Sequence, residues 1–310
     1  MQKIAIAIHG GAGTLVKGQM TSQKEAEYRA SLQKALDIGY KLIEEGASAI
    51  EAVEKTVICL EDSPLFNAGK GSVFTADGTH EMDAAIMDGK DLNAGAVSLI
   101  SGIKNPISLA RDVMEKSDHV FLAGEGAMRF AASRGYKLEK EEYFFDELRH
   151  RQWLEIKDSD KFQLDHSVKK DSKFGTVGAV ACDNQGNVAA ATSTGGMTNK
   201  RFGRVGDSPM IGAGNYANNK TCAVSCTGSG EFFIRGVVAY DVSCLMEYKG
   251  LTVEEAAGEV INHRILEIGG DGGLIAVDSK GNVALPFNTE GMYRGFRNSA
   301  GEEKIAIYKD

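Results

Sequence analysis

The chain has 310 residues, 43% of them hydrophobic, which is enough to bury one large core or two packed halves. Its formal net charge of -8 argues against nucleic acid or an anionic membrane as the main partner, because both are bound through clustered Lys and Arg. A small polar substrate is the better expectation.

Five cysteines form no C-x-x-C pair, and an odd count does not suit a disulfide scaffold. The first residues alternate Ile with Ala before a glycine turn and carry no signal-peptide pattern. No apolar run approaches the roughly 18 to 20 residues that span a bilayer. We therefore expect a soluble, cytoplasmic protein with reduced cysteines.

Apolar periodicity predicts mixed α and β elements in the first half of the chain. Charge-rich residues then give way to a polar stretch, which predicts a helix over the start of 137–174 and an exposed linker at about 157–175. The earlier elements are a strand over 3–8, helices over 22–45 and 48–59, strands near 73–75, 80–87 and 95–100, and helices near 106–116 and 124–134.

The second half begins with a predicted hairpin over 176–183 and 187–194, with Gly186 in the left-handed position of its loop. If pairing is centred on Gln185, so that paired residue numbers sum to 370, Thr176 lies opposite Thr194. A register error of one residue would put the two hydroxyls on opposite faces.

A second hairpin over 274–288 repeats the turn of the first, since DSKGNVA resembles DNQGNVA. Between the hairpins we expect a strand over 222–226 and helices near 231–248 and 252–266. These elements together indicate a sheet-rich core with helices outside it.

The common hydrolase motifs are absent from the sequence: there is no G-x-S-x-G, no H-E-x-x-H and no P-loop. The six histidines have no ligand-like spacing, and we expect structural or solvated roles for them. A threonine nucleophile without histidine or metal can use its own α-amine as base, since that pKa is about 7.7 to 8.0. Thr176 has such an amine only if the bond from Gly175 breaks.

Seven segments, in this order, resemble the plant-type L-asparaginases or isoaspartyl peptidases of the N-terminal-nucleophile hydrolases, and the resemblance covers nearly the whole chain. Each is weak alone, but the ordered set is specific. They are HGGAG near the start, LEDSPLFNAGKGSVF at 60–74, EMDAAIMDG at 81–89, GTVGAVA at 175–181, ATSTGG at 191–196, GRVGDSP at 203–209 and CTGSGE at 226–231.

The resemblance implies an α+β fold, a four-layer αββα sandwich, and autocleavage into chains of residues 1–175 and 176–310. It also implies a role for each matching residue. These are the nucleophile Thr176 with Thr194 beside it, the oxyanion pair Thr227 and Gly228, the aspartyl clamp Arg204, Asp207 and Gly230, the orienting Asn67, the cleavage site Gly175–Thr176, and the glycine loop Gly10 and Gly11.

The family resemblance further implies a structural sodium ion and no organic cofactor. The expected substrates are L-asparagine and β-aspartyl dipeptides, and the expected assembly is a dimer of cleaved heterodimers. The sodium ligands would be the backbone carbonyls of Leu60, Glu61, Ser63, Phe66, Ala68 and Lys70.

Two alternatives stay open at this point. A glycosylasparaginase would remove a sugar from asparagine by similar chemistry, although such enzymes usually carry a different segment before the threonine and are often secreted. An unprocessed amino-acid-binding protein would use Arg204 and Asp207 without ever exposing the amine of Thr176.

Overall fold

The computed structural model describes residues 3–158 and 175–309. Most of the linker predicted at about 157–175 lies outside these residues. Among the described helices, none has the length and apolarity to cross a bilayer. The helices are α1 (Ser22–Glu44), α2 (Ala49–Glu61), α3 (Pro106–Lys116), α4 (Gly124–Ser133), α5 (Glu141–Phe144), α6 (Glu147–Ile156), α7 (Gly230–Gly236), α8 (Val238–Lys249), α9 (Val253–Glu259) and α10 (Ile265–Glu267), with a π turn at Val260–Arg264 and a 3₁₀ turn at Gly69–Gly71.

The strands form two sheets. The larger sheet has the order β12-β11-β1-β5-β6-β2-β3-β4, and the smaller has the order β10-β9-β8-β7. Neighbours are antiparallel except β3 and β4, which are parallel. The strands are β1 (Ala5–Gly13), β2 (Met82–Asp88), β3 (Ala94–Ile100), β4 (Phe121–Ala123), β5 (Val177–Cys182), β6 (Val188–Thr194), β7 (Asn215–Ala217), β8 (Cys222–Gly228), β9 (Gly272–Asp278), β10 (Val283–Ala284), β11 (Gly291–Asn298) and β12 (Glu303–Tyr308).

Strands β1 and β5 are buried on both faces, and their side chains alternate between two apolar clusters. Ile6 and Ile8 of β1 face the cluster that includes α1, α2 and α3, whereas Ala5 and Ala7 face strands of the smaller sheet. A third cluster joins β8 and β9 to α8 and α9. Small side chains on the second face of β1 therefore let the two sheets approach closely.

Helix starts follow the expected capping chemistry. The Thr21 hydroxyl accepts from the Lys24 N–H at the start of α1, and Ser48 does the same for Glu51 in α2. Thr252 opens α9 with a reciprocal capping box. These signals explain why the predicted helix starts agree closely with the structure.

The hairpin β5–β6 has the predicted register. Val177 pairs with Ser193 and Cys182 with Val188, so the paired residue numbers sum to 370. Gly186 has a φ of 80°, the left-handed conformation predicted for its loop. Thr176 therefore lies one residue before the terminal pair Val177–Ser193, in register with Thr194.

Several predicted elements were wrong. Residues 73–75 are not a strand, because the Val73 N–H donates to the Asn67 side chain instead of a neighbouring strand. The strand predicted over 3–8 continues through the glycine segment to Gly13, with a bulge between His9 and Gly11. The helix predicted over 231–248 breaks at Val237, whose φ is 48°.

The mixed content of helices and strands is confirmed, but its extent was underestimated. Strands β11 and β12, which extend the larger sheet beyond β1, were not predicted. The short strands β4 and β7 were also missed. In the region predicted as one helix after residue 137, α5 and α6 are separate short helices.

The turns of the two similar hairpins are closed by equivalent aspartates. Asp183 Oδ1 accepts from the N–H groups of Gln185 and Asn187 at 2.9 and 3.0 Å, and Asp278 closes the β9–β10 turn in the same way. Only Asp183 has a further role, because its Oδ2 accepts from the N–H of Ala49 at the start of α2.

We expect Asp183→Ala to destabilise the protein more than Asp278→Ala. Both changes remove three turn hydrogen bonds, but the first also leaves the buried Ala49 N–H without its acceptor, a further loss of about 1 to 3 kcal/mol. Thermal melting in an uncleaved Thr176→Ala background measures this difference. Equal melting temperatures would show that the contact to α2 adds nothing.

Candidate functional site

The threonine predicted as nucleophile lies against three other groups. Thr176 is half-buried, and its hydroxyl donates to Thr194 Oγ1 at 3.2 Å. The Ser208 hydroxyl lies 3.4 Å from the same oxygen. The hairpin register brings Thr194 to Thr176, as the sequence predicted, while Ser208 comes from the segment that follows β6.

Thr194 is held by a turn that Asn67 fixes from another part of the chain. The Gly196 N–H donates to Thr194 Oγ1 at 3.0 Å. Asn67 Nδ2 donates to the Gly196 carbonyl at 2.7 Å, and Asn67 Oδ1 accepts from the Val73 N–H at 3.1 Å. Asn67 therefore acts on Thr176 indirectly, through this turn and Thr194.

The peptide before Thr176 is packed tightly against the glycine segment of β1. A Cβ on Gly11 would lie 2.5 Å from both N and Cα of Gly175, and Gly11 has a φ of 111°. Only glycine tolerates that conformation and that approach. A Cβ on Gly175 would lie 3.2 Å from Thr227 Oγ1. The Thr227 oxygen also accepts from the Ala12 N–H at 3.3 Å.

The predicted oxyanion pair lies at the end of β8. Thr227 is buried, and its hydroxyl is next to the Gly175–Thr176 junction. Gly228 has a φ of 153°, and a Cβ there would lie 2.7 Å from Gly272 Cα. The close pairing with β9 therefore requires glycine at position 228, whether or not its N–H group has a further role.

The three predicted clamp residues are grouped together. A Cβ on Gly230 would lie 2.9 Å from Asp207 Oδ1 and 3.0 Å from Arg204 Nη2. The glycine thus leaves open the space between the two charged side chains. Arg204 forms a two-point ion pair with Glu231, with Nε and Nη2 at 2.8 and 2.9 Å from its carboxylate oxygens.

Asp207 is a buried acid in a site that favours its neutral form. Burial raises its pKa to about 7, and the nearby Arg204 charge opposes this rise. Its Oδ2 is buried with no hydrogen-bond partner. An ammonium group placed against Asp207 would stabilise the carboxylate, because an opposite charge at short range favours ionisation.

The segment predicted to hold sodium folds back on itself after α2. A Cβ on Gly69 would lie 2.6 Å from the Glu61 carbonyl oxygen, and one on Gly71 would meet the carbonyl oxygen of Phe66. The described residues contain no group of three or more His, Cys, Asp or Glu side chains suited to a metal ion. The donors available here are backbone carbonyls, which suit a hard cation.

The remaining members of that set have other contacts. The Leu60 carbonyl accepts from the N–H groups of Asp62 and Ser63. The Ala68 carbonyl accepts from the Gly71 N–H, which leaves it a second lone pair. The Lys70 ammonium lies 5.4 Å from the centre of the Tyr143 ring. Gly10 packs against the Phe66 ring, so of these two glycines only Gly11 has the expected contact with Gly175.

Sequence reasoning missed three residues of the site. His9 Nδ1 lies 3.0 Å from the Thr176 carbonyl oxygen, Ser208 borders the Thr176 hydroxyl, and Glu231 pairs with Arg204. All three lie within segments that carried the family resemblance, namely HGGAG, GRVGDSP and CTGSGE. Their positions in those segments were the only available signal, because each contact joins residues far apart in the chain.

Comparison with protein-family models gives one match that covers nearly the whole chain. A family model described as asparaginase matches residues 2–307. The match therefore includes the hairpin with Thr176, the clamp residues and the glycine segment of β1.

Individual proteins are similar over their full length. An isoaspartyl peptidase from Escherichia coli is 52% identical, covering 100% of this chain and 98% of that protein. An isoaspartyl peptidase/L-asparaginase from Homo sapiens is 44% identical, covering 93% of this chain and 91% of that protein. A plant-type L-asparaginase from Pyrococcus abyssi is 44% identical, with 98% and 99% covered.

We expect Asp207→Asn to raise the melting temperature by an amount that grows between about pH 4 and pH 7 and is constant above. The sign follows from the raised pKa: the unfolded acid ionises near pH 4 and the folded one near pH 7, so the wild-type protein loses stability over that interval. The Asp207→Asn protein does not lose this stability, because its amide does not ionise.

Glu231→Gln is the matched control for this series. Burial alone would raise the Glu231 pKa, but hydrogen bonds and charge from Arg204 lower it below its usual value. This carboxylate therefore stabilises the folded protein above its unfolded pKa, and Glu231→Gln should not raise the melting temperature near pH 8. If Asp207→Asn changed the melting temperature equally at every pH, the raised pKa of Asp207 would be contradicted.

Proposed function

The chain belongs to the asparaginase family, and from this premise we propose that it is a hydrolase that releases L-aspartate from β-aspartyl dipeptides and from L-asparagine. The proposal rests on one observation. The Thr176 hydroxyl donates to Thr194, and the residue before Thr176, Gly175, is tightly packed. Relatives named isoaspartyl peptidase and isoaspartyl peptidase/L-asparaginase support the substrate class.

The first step is cleavage of the chain itself. Thr176 Oγ attacks the Gly175 carbonyl carbon, and the acyl group moves from nitrogen to oxygen. Water then hydrolyses this ester, leaving the Gly175 carboxylate and a free Thr176 amine. The packing of Gly175 on Gly11 and beside the Thr227 hydroxyl supports this step, because a constrained peptide close to a hydrogen-bond donor is easier to attack.

The second step uses the amine that cleavage exposes. The Thr176 amine takes the hydroxyl proton as Oγ attacks the side-chain carbonyl of the substrate. The Thr227 hydroxyl and the Gly228 N–H stabilise the oxyanion, each by about 3 kcal/mol. Ammonia or an amino acid leaves with a proton, and water hydrolyses the β-aspartyl ester to release aspartate.

The clamp selects an aspartyl group that is joined through its side chain, because only such a group keeps a free α-amine and a free α-carboxylate. Arg204 binds the α-carboxylate, and Asp207 binds the α-ammonium with help from the Gly230 carbonyl. Glu231 orients the Arg204 guanidinium through its two-point contact. The gap at Gly230 supports this assignment, since a side chain there would fill the space between the two charges.

The architecture is proposed to be the four-layer αββα sandwich of N-terminal-nucleophile hydrolases. The three apolar clusters support this arrangement. One joins α1–α3 to the larger sheet, one joins the two sheets, and one joins the smaller sheet to α8 and α9. Cleavage would then give chains 1–175 and 176–310 within one folded unit.

A sodium ion is proposed in the loop that follows α2. The carbonyls of Leu60, Glu61, Ser63, Phe66, Ala68 and Lys70 would hold it, and the approach of Glu61 and Phe66 carbonyls to Gly69 and Gly71 supports this. These carbonyl oxygens would hold the ion, and a bound ion would supply the positive charge that such oxygens favour. This chain's own Asn67, in the same loop, then holds the turn beside Thr194.

The protein is further proposed to be cytoplasmic and to assemble into an oligomer. The five cysteines are free thiols, which supports a reducing cytoplasmic environment. A dimer of cleaved heterodimers is proposed on family membership alone, and light scattering of the cleaved protein measures it directly.

Replacement of the nucleophile tests cleavage. We expect Thr176→Ala to give one full-length band on a denaturing gel, because no hydroxyl remains to attack Gly175. Thr176→Ser should retain slower cleavage, since its hydroxyl lacks the constraint of a β-branched side chain. N-terminal sequencing of the smaller wild-type fragment should begin at Thr176. Cleavage at this bond in the alanine variant would exclude the mechanism.

Replacement of the clamp arginine tests substrate recognition. We expect Arg204→Gln to raise KM for a β-aspartyl dipeptide by about 100-fold or more, because the α-carboxylate then meets the unpaired Glu231 charge. The double variant Arg204→Gln/Glu231→Gln should recover part of that loss, because the repelling carboxylate is gone. An unchanged KM would place the carboxylate elsewhere.

The same assay separates the proposed activity from its alternatives. Wild-type protein should hydrolyse the β-aspartyl dipeptide and not glycosylated asparagine. Preference for the glycosylated substrate would indicate a glycosylasparaginase. A chain that stays uncleaved and binds aspartate without hydrolysis would be a binding protein.

A further inference from the structure

A fully buried histidine contacts the backbone of the proposed nucleophile. His9 lies on β1, and its Nδ1 is 3.0 Å from the Thr176 carbonyl oxygen. Its Nε2 is 2.9 Å from Ser225 Oγ on β8 of the other sheet. The imidazole thus connects the first residue of the proposed second chain to the smaller sheet.

The two contacts define one tautomer. A carbonyl oxygen only accepts hydrogen bonds, so Nδ1 must carry a proton and donate to Thr176. In a neutral ring Nε2 is then an acceptor, and the Ser225 hydroxyl donates to it. Burial strongly favours the neutral ring and lowers the His9 pKa to about 3. The opposite tautomer would bring two lone pairs together at 3.0 Å.

The chain of hydrogen bonds continues beyond Ser225. With its proton given to His9, Ser225 accepts from the Thr192 hydroxyl, whose oxygen lies 2.7 Å away. Thr192 Oγ1 in turn accepts from Asn215 Nδ2 at 3.0 Å. The Gly214 carbonyl oxygen also lies 3.2 Å from Thr192 Oγ1, so the Thr192 proton is shared between Gly214 and Ser225. The bonds from Ser225 to His9 and from His9 to the Thr176 carbonyl run in one direction and strengthen each other.

The space for the ring depends on a glycine. A Cβ on Gly178, which pairs with His9 in β1–β5, would overlap both His9 Nε2 and Ser225 Oγ. The β1–β5 pairing ends at this residue pair, and the Thr176 carbonyl lies just beyond it. The imidazole therefore fixes that carbonyl where the regular pairing of the two strands stops.

We propose that His9 is a positioning residue, which fixes the Thr176 peptide plane so that the amine and hydroxyl of the cleaved threonine are correctly oriented. The inference rests on the proposed function. Cleavage removes the chain on the amino side of Thr176, so the residue is then held through its carbonyl and its side chain. The His9 bond limits rotation about the Cα–C bond, which would otherwise move the amine and the hydroxyl together away from Thr227 and the substrate.

Two substitutions separate the contacts that His9 makes. The amide N–H₂ of asparagine can take the place of Nδ1, so His9→Asn keeps a donor for the Thr176 carbonyl and loses the bond to Ser225. The longer glutamine places its amide near Nε2, so His9→Gln keeps a partner for Ser225 and loses the bond to Thr176. Both variants remove the same ring, and each loses one hydrogen bond.

The measurement is kcat and KM for a β-aspartyl dipeptide, normalised to the cleaved fraction found by mass spectrometry. We expect His9→Gln to lower kcat by about 100-fold with KM nearly unchanged, since a misplaced reacting group affects the chemical step. His9→Asn should retain kcat within about 10-fold. Equal kcat values for the two variants, or losses that follow melting temperature alone, would overturn the proposal.

A spectroscopic measurement on the wild-type protein does not depend on variants that fold. Nitrogen-15 chemical shifts of His9 should show a protonated Nδ1 and an unprotonated Nε2 at about pH 7. An unprotonated Nδ1 would exclude donation to Thr176. If wild-type protein does not hydrolyse the dipeptide while His9 has the expected tautomer, the proposed function fails, and the hydrogen bond to Thr176 stays intact as a structural contact.

Discussion

The register of the β5–β6 hairpin is the constraint on which the site depends. It brings Thr176 and Thr194 to the same face, with their hydroxyl oxygens 3.2 Å apart. A slip of one residue would reverse every side chain along β5. Asp183 fixes the turn through two N–H groups and also accepts from the N–H of Ala49, so the start of α2 is tied to the same turn. The position of one hydroxyl therefore depends on a turn at the far end of the hairpin.

Close packing of the two sheets is the second requirement. The sheets meet through small residues, and at Gly178 the side chains of His9 and Ser225 occupy the space that a Cβ would fill. Close approach lets Ser225 of the smaller sheet contact His9, which contacts Thr176, while Thr227 reaches the Gly175 junction. A larger residue at this contact would separate the sheets and with them Thr176 and Thr227, because the core has little free volume to absorb it.

The sequence was informative where the structure depends on local spacing. Apolar periodicity and capping residues located α1, α2 and α3, and turn chemistry gave the hairpin register. It was uninformative where distant segments meet. Strands β11 and β12 join the sheet beside β1 from the end of the chain, and no local pattern indicates that pairing. The Glu231 partner of Arg204 and the His9 contact to Thr176 were missed for the same reason. The family resemblance supplied residue roles, but it did not supply these contacts.

The charges of the proposed clamp explain how it would favour a zwitterion. Arg204 already has a carboxylate partner in Glu231, so an incoming α-carboxylate would share a guanidinium that is held in a fixed orientation. Asp207, in contrast, lacks a close partner of opposite charge: burial raises its pKa to about 7, and its Oδ2 has no hydrogen-bond partner among the described residues. An α-ammonium supplies the positive charge that favours the ionised acid, so binding and ionisation of Asp207 support each other. A ligand that lacks the ammonium leaves this buried acid only partly ionised near neutral pH, and the ionised form has no added positive charge beside it. Discrimination at this site therefore comes as much from the cost of burying an unpaired charge as from the bonds that the correct substrate makes.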